Sequence, residues 1–386
     1  MKPGVVILAA ALSYALLTMW VEERWAWSLF QVGVFVLAGW RVARPHRRSI
    51  PLALAPLAAA ALWPPLQLAL GASISPGPTW DAALNWFTFL VVFALSCDLL
   101  SRAAPRRGFL GAVVLFGMFL AAVATTQKYS SGGKIFWLFP SGFPDDVLGP
   151  FVNRNQFAAW VELLLPPALY LAATQRRLKP LYGSAAAVMF GAIIASASRA
   201  GFALACGEVL AVGIALAARG AAPRKALALG AVQFVTLALI ASAVAGWQGL
   251  ESRLESRGPE ALRVDAMKAS IQMVRERPWT GSGLGTWSIL YPRYAGFDAG
   301  VFVNQAHNDW AQWAAEGGLP FLFFLTAFAA LLWKPAVQSI YGLGTVAFLL
   351  HAIVDYPMQQ RPALAAWFFA MAGATAAWTM SSARDR

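Results

Sequence analysis

Long apolar stretches alternate with short polar segments along most of the chain, in lengths that suit membrane-spanning helices. A span must be helical, because lipid offers no partner for free backbone N–H and C=O groups. The pattern predicts about twelve spans, within one either way, and the second, fourth and seventh are short enough to need tilt or pairing. The predicted spans are 4–20, 25–40, 50–70, 82–97, 109–126, 155–174, 183–198, 200–217, 226–247, 317–333, 339–355 and 363–380.

One long polar passage, residues 248–318, interrupts this pattern. Residues 259–277 within it are predicted to form an amphipathic helix, since Pro259 suits the first turn and Pro278 enforces a stop. The helix either lies along the membrane surface or packs against other residues outside the membrane. Its apolar face is predicted to consist of Val264, Met267, Ile271 and Val274.

A glycine-rich segment, residues 281–285, follows that helix. A dinucleotide-binding loop needs a preceding strand and a following helix in a βαβ unit, and this segment lacks that setting. Tight turns that bring the backbone close to another part of the chain are the better prediction.

The composition agrees with a membrane protein, since 59% of the residues are hydrophobic and 12% are charged. The expected fold is all-α: a polytopic integral membrane helical bundle in which residues 1–386 form one domain and 248–318 a long loop containing amphipathic helices. The first apolar run has no small-residue cleavage site, so it is predicted to be retained as a span. Cys97 and Cys206 both fall inside spans and indicate neither a disulfide nor a metal site.

Basic residues collect in alternate gaps between the spans, as the positive-inside rule requires of cytoplasmic loops. Both termini are therefore predicted to be cytoplasmic, and the 248–318 passage to lie on the other side. The net charge of +12 then reflects short loops beside anionic membrane lipid, and no nucleic-acid partner is expected. The basic residues of these gaps and ends are Lys2, Arg41, Arg44, Arg47, Arg48, Arg102, Arg106, Arg107, Arg176, Arg177, Lys179, Arg219, Arg224, Lys225, Lys334, Arg384 and Arg386.

His307 is the strongest candidate for chemistry. It precedes a helix start in which Asp309 can cap and Gln312, three residues on, can reach back, so the imidazole is predicted to lie at the mouth of the bundle. A histidine with a pKa of about 6.5 is mostly neutral at pH 7, and the neutral form can accept a proton from a hydroxyl nucleophile. The alternative is a structural histidine at the membrane edge.

Three arginines are predicted to lie on the same side of the membrane: Arg154, Arg199 and Arg263. A guanidinium beside hydrophobic helices is costly without an anion or a carboxylate, and its planar fork matches phosphate oxygens. The three residues form a candidate clamp for a diphosphate. Ordinary ion pairing is the alternative, since Glu162 lies two helical turns from Arg154.

His351 and Asp355 are one helical turn apart near the outer end of the eleventh span. Ionisable residues inside a membrane point to function by default, but a histidine and an aspartate can also simply satisfy each other. A supporting role is therefore predicted for this pair. Glu208, in the middle of a span, has the same two interpretations.

Several short motifs, in this order, resemble those of the O-antigen ligase and O-antigen polymerase (Wzy-type) superfamily, membrane glycosyltransferases that take glycans from undecaprenyl pyrophosphate. The strongest match runs from His307-Asn308-Asp309 to Glu316-Gly317-Gly318. The other matching pieces are residues 149–158, residues 196–201, Arg263 with Pro278 and residues 281–285, and residues 351–357.

The resemblance implies a bacterial inner-membrane enzyme whose 248–318 passage is a periplasmic loop carrying the active site. It also implies transfer without a metal or another cofactor. Arg154, Arg199 and Arg263 then hold the donor pyrophosphate, and His307 is the base. The supporting residues are Asn308, Asp309, His351 and Asp355. Attack opposite the leaving group predicts inversion at the anomeric carbon.

Members of this superfamily differ in acceptor, which is lipid A core in ligases, the growing glycan in polymerases and a serine or threonine in protein O-oligosaccharyltransferases. A ligase is slightly favoured over a polymerase, and the protein-linked activity ranks third. A glycolipid transporter or flippase is the alternative from another class, because twelve spans with both ends inside also suit carriers. Against it, the chain has no repeated halves and its polar groups gather on one side.

Overall fold

The computed structural model describes residues 2–44, 50–143, 147–220, 260–298, 300–359 and 361–382, together with 232, 235–236 and 239–240. Most of the predicted ninth span and the first part of the polar passage lie outside the described residues. So do the basic residues Arg47, Arg48, Arg224, Lys225, Arg384 and Arg386.

Helices form most of the described structure, and each of the other eleven predicted spans lies on one of them. The first eight are α1 (Pro3–Leu17), α2 (Arg24–Val42), α3 (Leu54–Ala69), α4 (Pro76–Leu99), α5 (Ala103–Ser130), α6 (Arg154–Thr174), α7 (Lys179–Ser196) and α8 (Arg199–Ala218). The later ones are α9 (Glu260–Glu276), α10 (Trp287–Leu290), α11 (Asp309–Ser339), α12 (Leu343–Val354) and α13 (Pro362–Ser382). Short 3-10 turns lie at Arg176–Leu178 and Tyr291–Arg293, and a small antiparallel hairpin pairs β1 (Lys134–Ile135) with β2 (Phe139–Pro140).

Within the described part of the chain, six helices are long and apolar enough to cross a membrane, namely α4, α5, α6, α8, α11 and α13. The shorter apolar helices are α1, α3 and α12. The prediction of an all-α polytopic membrane bundle is confirmed. The fourth span is longer than its apolar run, because α4 begins at Pro76 and has 24 residues.

Helices α6 and α13 form the centre of the bundle. Every residue of 156–168 and of 363–377 is buried, so these helices face protein on all sides. Their tryptophans meet edge to face, with 5.7 Å between the ring centroids of Trp160 and Trp367. Helices that are apolar on all faces are stable only when they are surrounded by protein or lipid. The packing around α6 fixes the position of its first residues.

Helix α11 contains a kink at Gly318, whose φ of 70° and ψ of −178° are not helical. The predicted tenth span began at residue 317, but the helix itself begins earlier, at Asp309. Its polar first turns therefore project beyond the apolar part.

Close backbone contacts join the segment after α9 to α11. The N–H groups of Ser282 and Gly283 donate to the carbonyls of Ala315 and Glu316, at 3.1 and 2.9 Å. A Cβ on Gly281, where φ is 65°, would lie 2.1 Å from the Glu316 carbonyl oxygen. Only glycine fits there, which confirms the predicted tight turns and close backbone approach in 281–285.

The helix predicted for 259–277 is present as α9, but its buried face differs from the predicted one. Ala266, Ala269 and Met273 are buried against a small cluster that includes Trp287 and Tyr291. The predicted face residues Val264 and Ile271 are instead 51% and 45% exposed. Alanine makes a closer contact than a branched side chain, so α9 packs against neighbouring loop residues through its small side chains.

The start of α1 and the end of α13 lie at the opposite end of the bundle from the start of α11. There the Arg106 guanidinium donates to the carbonyls of Leu100 and Ala377, at 3.0 and 3.2 Å. Arg41 pairs with Asp98 at the same end. This end carries basic residues of the gaps that the sequence predicts to be cytoplasmic.

Candidate active site where four helix ends meet

Three helices begin and one ends at one point of the bundle: α6, α8 and α11 start there, and α12 stops there. Each start has a polar N-cap, whose side-chain oxygen accepts from backbone N–H groups of the first turn. The caps are Asn153 on α6, Ser198 on α8 and Asn308 on α11. Helix N-termini carry partial positive charge, so this point of the bundle favours an anion.

The cap of α11 is Asn308, and the sequence-based choice of Asp309 was wrong. Asn308 Oδ1 accepts from the Ala311 N–H at 2.9 Å. Asp309 binds the segment after α12 instead, because its Oδ2 accepts from the Met358 N–H at 3.0 Å. Its own N–H donates to the Asp355 carbonyl at 3.2 Å. The loop before α11 is therefore fastened to the end of α12.

His307 lies in that loop with a left-handed backbone, at φ 54°. Its Nδ1 is 3.9 Å from Asp355 Oδ1, beyond hydrogen-bond distance, and the side chain is 24% exposed. The ring stands edge to face against Tyr356, with 4.7 Å between centroids. Gln312 does reach back, but to Ala306 and not to the predicted cap residue Asp309: its Oε1 accepts from the Ala306 N–H at 3.0 Å. Packing therefore orients the imidazole and leaves part of it open.

Charge and burial act on the protonation of His307 in opposite directions. Burial lowers the pKa of the imidazole below its usual value, the Asp355 carboxylate raises it, and the positive charge of Arg263 lowers it. Because burial is the largest of these effects, His307 is neutral at pH 7. A neutral imidazole is the form that can take a proton from a hydroxyl group.

Asp355 connects this histidine to α6 and α8. The Asn155 side-chain nitrogen donates to Asp355 Oδ2, and the Tyr356 N–H donates to Asp355 Oδ1 at 2.9 Å. Asn155 Oδ1 in turn accepts from the Ser198 hydroxyl at 2.8 Å. Hydrogen bonds thus run from Asp355, which lies beside His307, to the N-cap of α8. Sequence reasoning gave Asn155 and Ser198 no role, although both stand beside an arginine it had selected.

Tyr356 closes the side of the site toward α6. The Asn153 side-chain nitrogen donates to its hydroxyl oxygen at 3.3 Å. Burial, followed by the negative charge of Asp355, raises the pKa of Tyr356 to about 12. The phenol therefore stays protonated at neutral pH and can serve as a hydrogen-bond donor in the site.

The three selected arginines all lie around this point. Arg154 and Arg199 are the first residues of α6 and α8, whose starts are joined through Ser198 and Asn155. Arg199 and Arg263 are exposed. Arg263, on α9, lies near enough for its charge to act on His307. Guanidinium groups and helix N-termini therefore place positive charge on the same side as the candidate base.

His351 is buried and does not share a side-chain bond with Asp355, contrary to the sequence-based pairing. Its Nδ1 lies 2.8 Å from Glu162 Oε1, and both side chains are 0% exposed. The His351 carbonyl accepts from the Asp355 N–H at 3.0 Å, so the two residues are joined through the backbone. Glu208 is also buried, and its carboxyl oxygens have no hydrogen-bond partner among the described residues.

In the described residues, no group of three or more His, Cys, Asp or Glu side chains could hold a metal ion. The side chains that meet at the four helix ends are one imidazole, the carboxylates of Asp355 and Asp309, one phenol and several guanidinium groups. These side chains can accept a proton and stabilise a phosphate, and a group-transfer site needs both functions.

The chain is a polytopic helical membrane protein, and one part of it matches a known family of glycosyltransferase-type enzymes. Residues 184–326 match the family model described as O-antigen ligase. The matched segment contains Arg199, Arg263 and His307, and it confirms the resemblance to the O-antigen ligase superfamily. It supports a membrane glycosyltransferase-like function in polysaccharide assembly. No curated protein matches the chain.

Proposed function

We propose that the protein transfers a glycan from undecaprenyl pyrophosphate to an acceptor hydroxyl at the outer face of a bacterial inner membrane, as an O-antigen ligase. The observation that carries this proposal is the position of His307. It is a half-buried, neutral imidazole beside Asp355, at a point where arginine-bearing helix N-termini meet. The acceptor of choice is lipid A core. A Wzy-type polymerase, which extends the growing glycan, is the alternative.

In the proposed reaction His307 removes the proton of the acceptor hydroxyl. In this proposal the negative charge of Asp355, 3.9 Å from Nδ1, favours the tautomer with the proton on Nδ1, and Nε2 is the accepting atom. The freed oxygen attacks the anomeric carbon of the donor glycan while the bond from that carbon to the pyrophosphate oxygen breaks. The electron pair leaves with undecaprenyl pyrophosphate, so the configuration at the anomeric carbon is inverted.

Arg154, Arg199 and Arg263 are the proposed partners of the pyrophosphate. Its negative charge grows as the bond breaks, and guanidinium groups at two helix starts stabilise that growth. The leaving group is already a good one, so the reaction is proposed to need neither a metal nor another cofactor. Asn308, Asp309, His351 and Asp355 are proposed to hold the base in place.

The charge distribution supports an orientation with both termini in the cytoplasm. The start of α1 and the end of α13 lie at the end of the bundle that carries Arg41 and Arg106, and the site lies at the other end. Under the positive-inside rule the basic end is cytoplasmic. The site then faces the periplasm, where lipid-linked glycans and lipid A core meet.

The test is transfer by the purified protein in proteoliposomes that contain lipid-linked glycan and lipid A core. The expected product is glycosylated core together with free undecaprenyl pyrophosphate. Longer lipid-linked glycan would indicate the polymerase. Movement of the glycan across the membrane without bond cleavage would show that the protein is a carrier and not a transferase. With Arg199→Lys, the KM for the donor should rise because the bidentate fork is lost, whereas Arg275→Lys on the exposed side of α9 should leave it unchanged.

A further inference from the structure

A polar cavity of about 300 Å³ lies beside the loop that carries His307. The start of α4, the 284–288 segment, the first turns of α11 and the start of α13 enclose it. Its size falls at the lower end of the range for small-molecule sites, about 300–1,000 Å³. Neither the proton transfer nor the pyrophosphate clamp uses this space.

The chemistry of the lining excludes two kinds of ligand. Among the described residues that line the cavity there is no lysine or arginine, so the cavity is not an anion site. It is also unsuited to an acyl chain, because amide side chains converge on it. The amides include Asn85, Asn304, Gln305 and Gln359.

One of these amides has an unused donor. The side-chain nitrogen of Gln359 is shielded from solvent and has no hydrogen-bond partner among the described residues. A buried donor without an acceptor destabilises the protein, and a bound oxygen atom would remove that cost. Asn85 has a spare donor too, since its Oδ1 accepts from Trp27 Nε1 at 2.8 Å. These groups suit a ligand rich in hydroxyl groups.

Two tryptophans, Trp86 and Trp313, form the apolar wall of the cavity. Their ring centroids are 6.2 Å apart, and Trp86 also packs edge to face against Phe321 at 5.0 Å. The wall is therefore rigid before any ligand arrives. Amide donors and acceptors together with aromatic rings match a sugar ring, which has hydroxyl groups at its edges and C–H groups on its faces.

The cavity is close to the reacting groups. Gln305, which lines it, is two residues from His307, and Met358, which also lines it, donates to Asp309 at 3.0 Å. A second cavity of about 240 Å³ shares Asp81 and Asn85 with the first and extends it toward α1 and α2. Arg24 and Arg361 also line the second cavity, so of the two it is the first that has no basic side chain among its described lining residues.

We infer that this cavity is a saccharide subsite, which binds glycan units of a substrate next to the bond being made or broken. The inference depends on the proposed function only in one respect, namely that the bound glycan takes part in a transfer reaction. The sugar binding itself follows from the cavity and its lining. The glycan belongs either to the lipid-linked donor or to the acceptor, and kinetics can tell these apart.

The first experiment measures binding without transfer. Oligosaccharide released by mild acid from the lipid-linked glycan of the same cells is labelled and dialysed to equilibrium against the purified protein in detergent. Gln359→Ala and Asn304→Ala should each weaken binding by about tenfold, the effect of one lost hydrogen bond. Gln272→Ala, an exposed residue on α9, is the matched control. Undecaprenyl pyrophosphate without sugar should bind equally well to all four proteins.

The second experiment measures transfer with the same variants. The KM for one glycan-bearing substrate should rise about tenfold while kcat changes little. A rise for the donor assigns the subsite to the donor glycan, and a rise for the acceptor assigns it to the acceptor. Equal oligosaccharide binding by wild type and both variants would overturn the subsite, even if the wild type transfers glycan. Selective loss of binding in a protein that transfers nothing would keep the subsite and reject the proposed function.

Discussion

Two histidines lie next to carboxylates in this protein, and their surroundings differ. His351 and Glu162 are 0% exposed, 2.8 Å apart, and held by α12 and α6 inside the bundle. His307 and Asp355 lie 3.9 Å apart at the helix ends, and the His307 side chain is 24% exposed. The first pair is closed to any substrate. The second leaves the imidazole available, so location, not residue type, separates a structural histidine from a candidate base.

The available histidine is positioned by the backbone and by packing, not by a strong bond to its carboxylate. Asp355 uses its oxygens to accept from Asn155 and from the Tyr356 N–H. Its effect on His307 is that of its charge, which raises the pKa of the imidazole. Four predictions follow from this contrast, in order of expected effect.

His307→Ala should lower the rate of glycan transfer by about 100- to 10,000-fold, the usual contribution of a general base. The protein should still insert and fold, because the side chain is partly exposed and its Nδ1 has no hydrogen-bond partner among the described residues. Transfer in proteoliposomes and thermal unfolding in detergent measure the two properties. Normal transfer by this variant would remove His307 from the chemistry.

His351→Ala should have the opposite pattern, with lost stability and retained chemistry. It leaves Glu162 buried without its partner, which costs about 3–5 kcal/mol. Unfolding in detergent should therefore begin at lower temperature, while transfer per folded molecule stays close to wild type. Replacing both partners by leucine should recover most of the stability. A folded, stable His351→Ala protein that transfers no glycan would show that the buried pair takes part in the reaction.

The pH dependence should shift in opposite directions in two charge variants. Transfer needs neutral His307, so activity falls as the pH drops through its pKa. Asp355→Asn removes a charge that raises this pKa, so the acidic limb of kcat/KM should move to lower pH. Arg263→Gln removes a charge that lowers it, so the limb should move to higher pH. The midpoint of the limb is the measurement, and shifts in the same direction would contradict the assignment.

Asn155→Ala should have the smallest effect. It removes the bonds to Asp355 and Ser198, each with a net contribution of about 1 kcal/mol. Transfer should fall several-fold as the helix starts loosen. Asn155→Asp keeps an acceptor for Ser198 but sets a carboxylate against Asp355, so it should be the worse variant. The reverse order would mean that Asn155 does not bind Asp355.

Much of the fold could be predicted from the apolar runs, because a span must be long, apolar and helical. The helix ends were harder. The first turns of α4 contain Thr79 and Asp81, which lie before the predicted start of the span at residue 82, and Asn85 is a polar residue inside it. Asp81 and Asn85 line a cavity instead of facing lipid. A hydropathy pattern finds the part of a helix that meets lipid and misses the polar part beyond it.

Features of the candidate site that depend on local sequence could be predicted, whereas side-chain partners that depend on how the helices pack could not. Asn308 and Asp309 are equally good helix caps, so the sequence offers no means of choosing between them. His351 has a carboxylate one turn away at Asp355, yet its partner is Glu162, which is distant in sequence and adjacent only after α6 and α12 pack together. The candidate base itself was found from its short motif.

The kink at Gly318 separates two mechanical parts of α11. Residues 319–339 are long enough, at 1.5 Å per residue, to cross about 30 Å of hydrocarbon by themselves. The turns before the kink are anchored elsewhere, through Trp63 to the Gly317 carbonyl at 2.8 Å and through Gln67 to the Glu316 carbonyl at 2.8 Å. Because these anchors join protein to protein, we expect the imidazole to keep its position in a thinner or thicker bilayer, and the rate of transfer should be insensitive to lipid chain length.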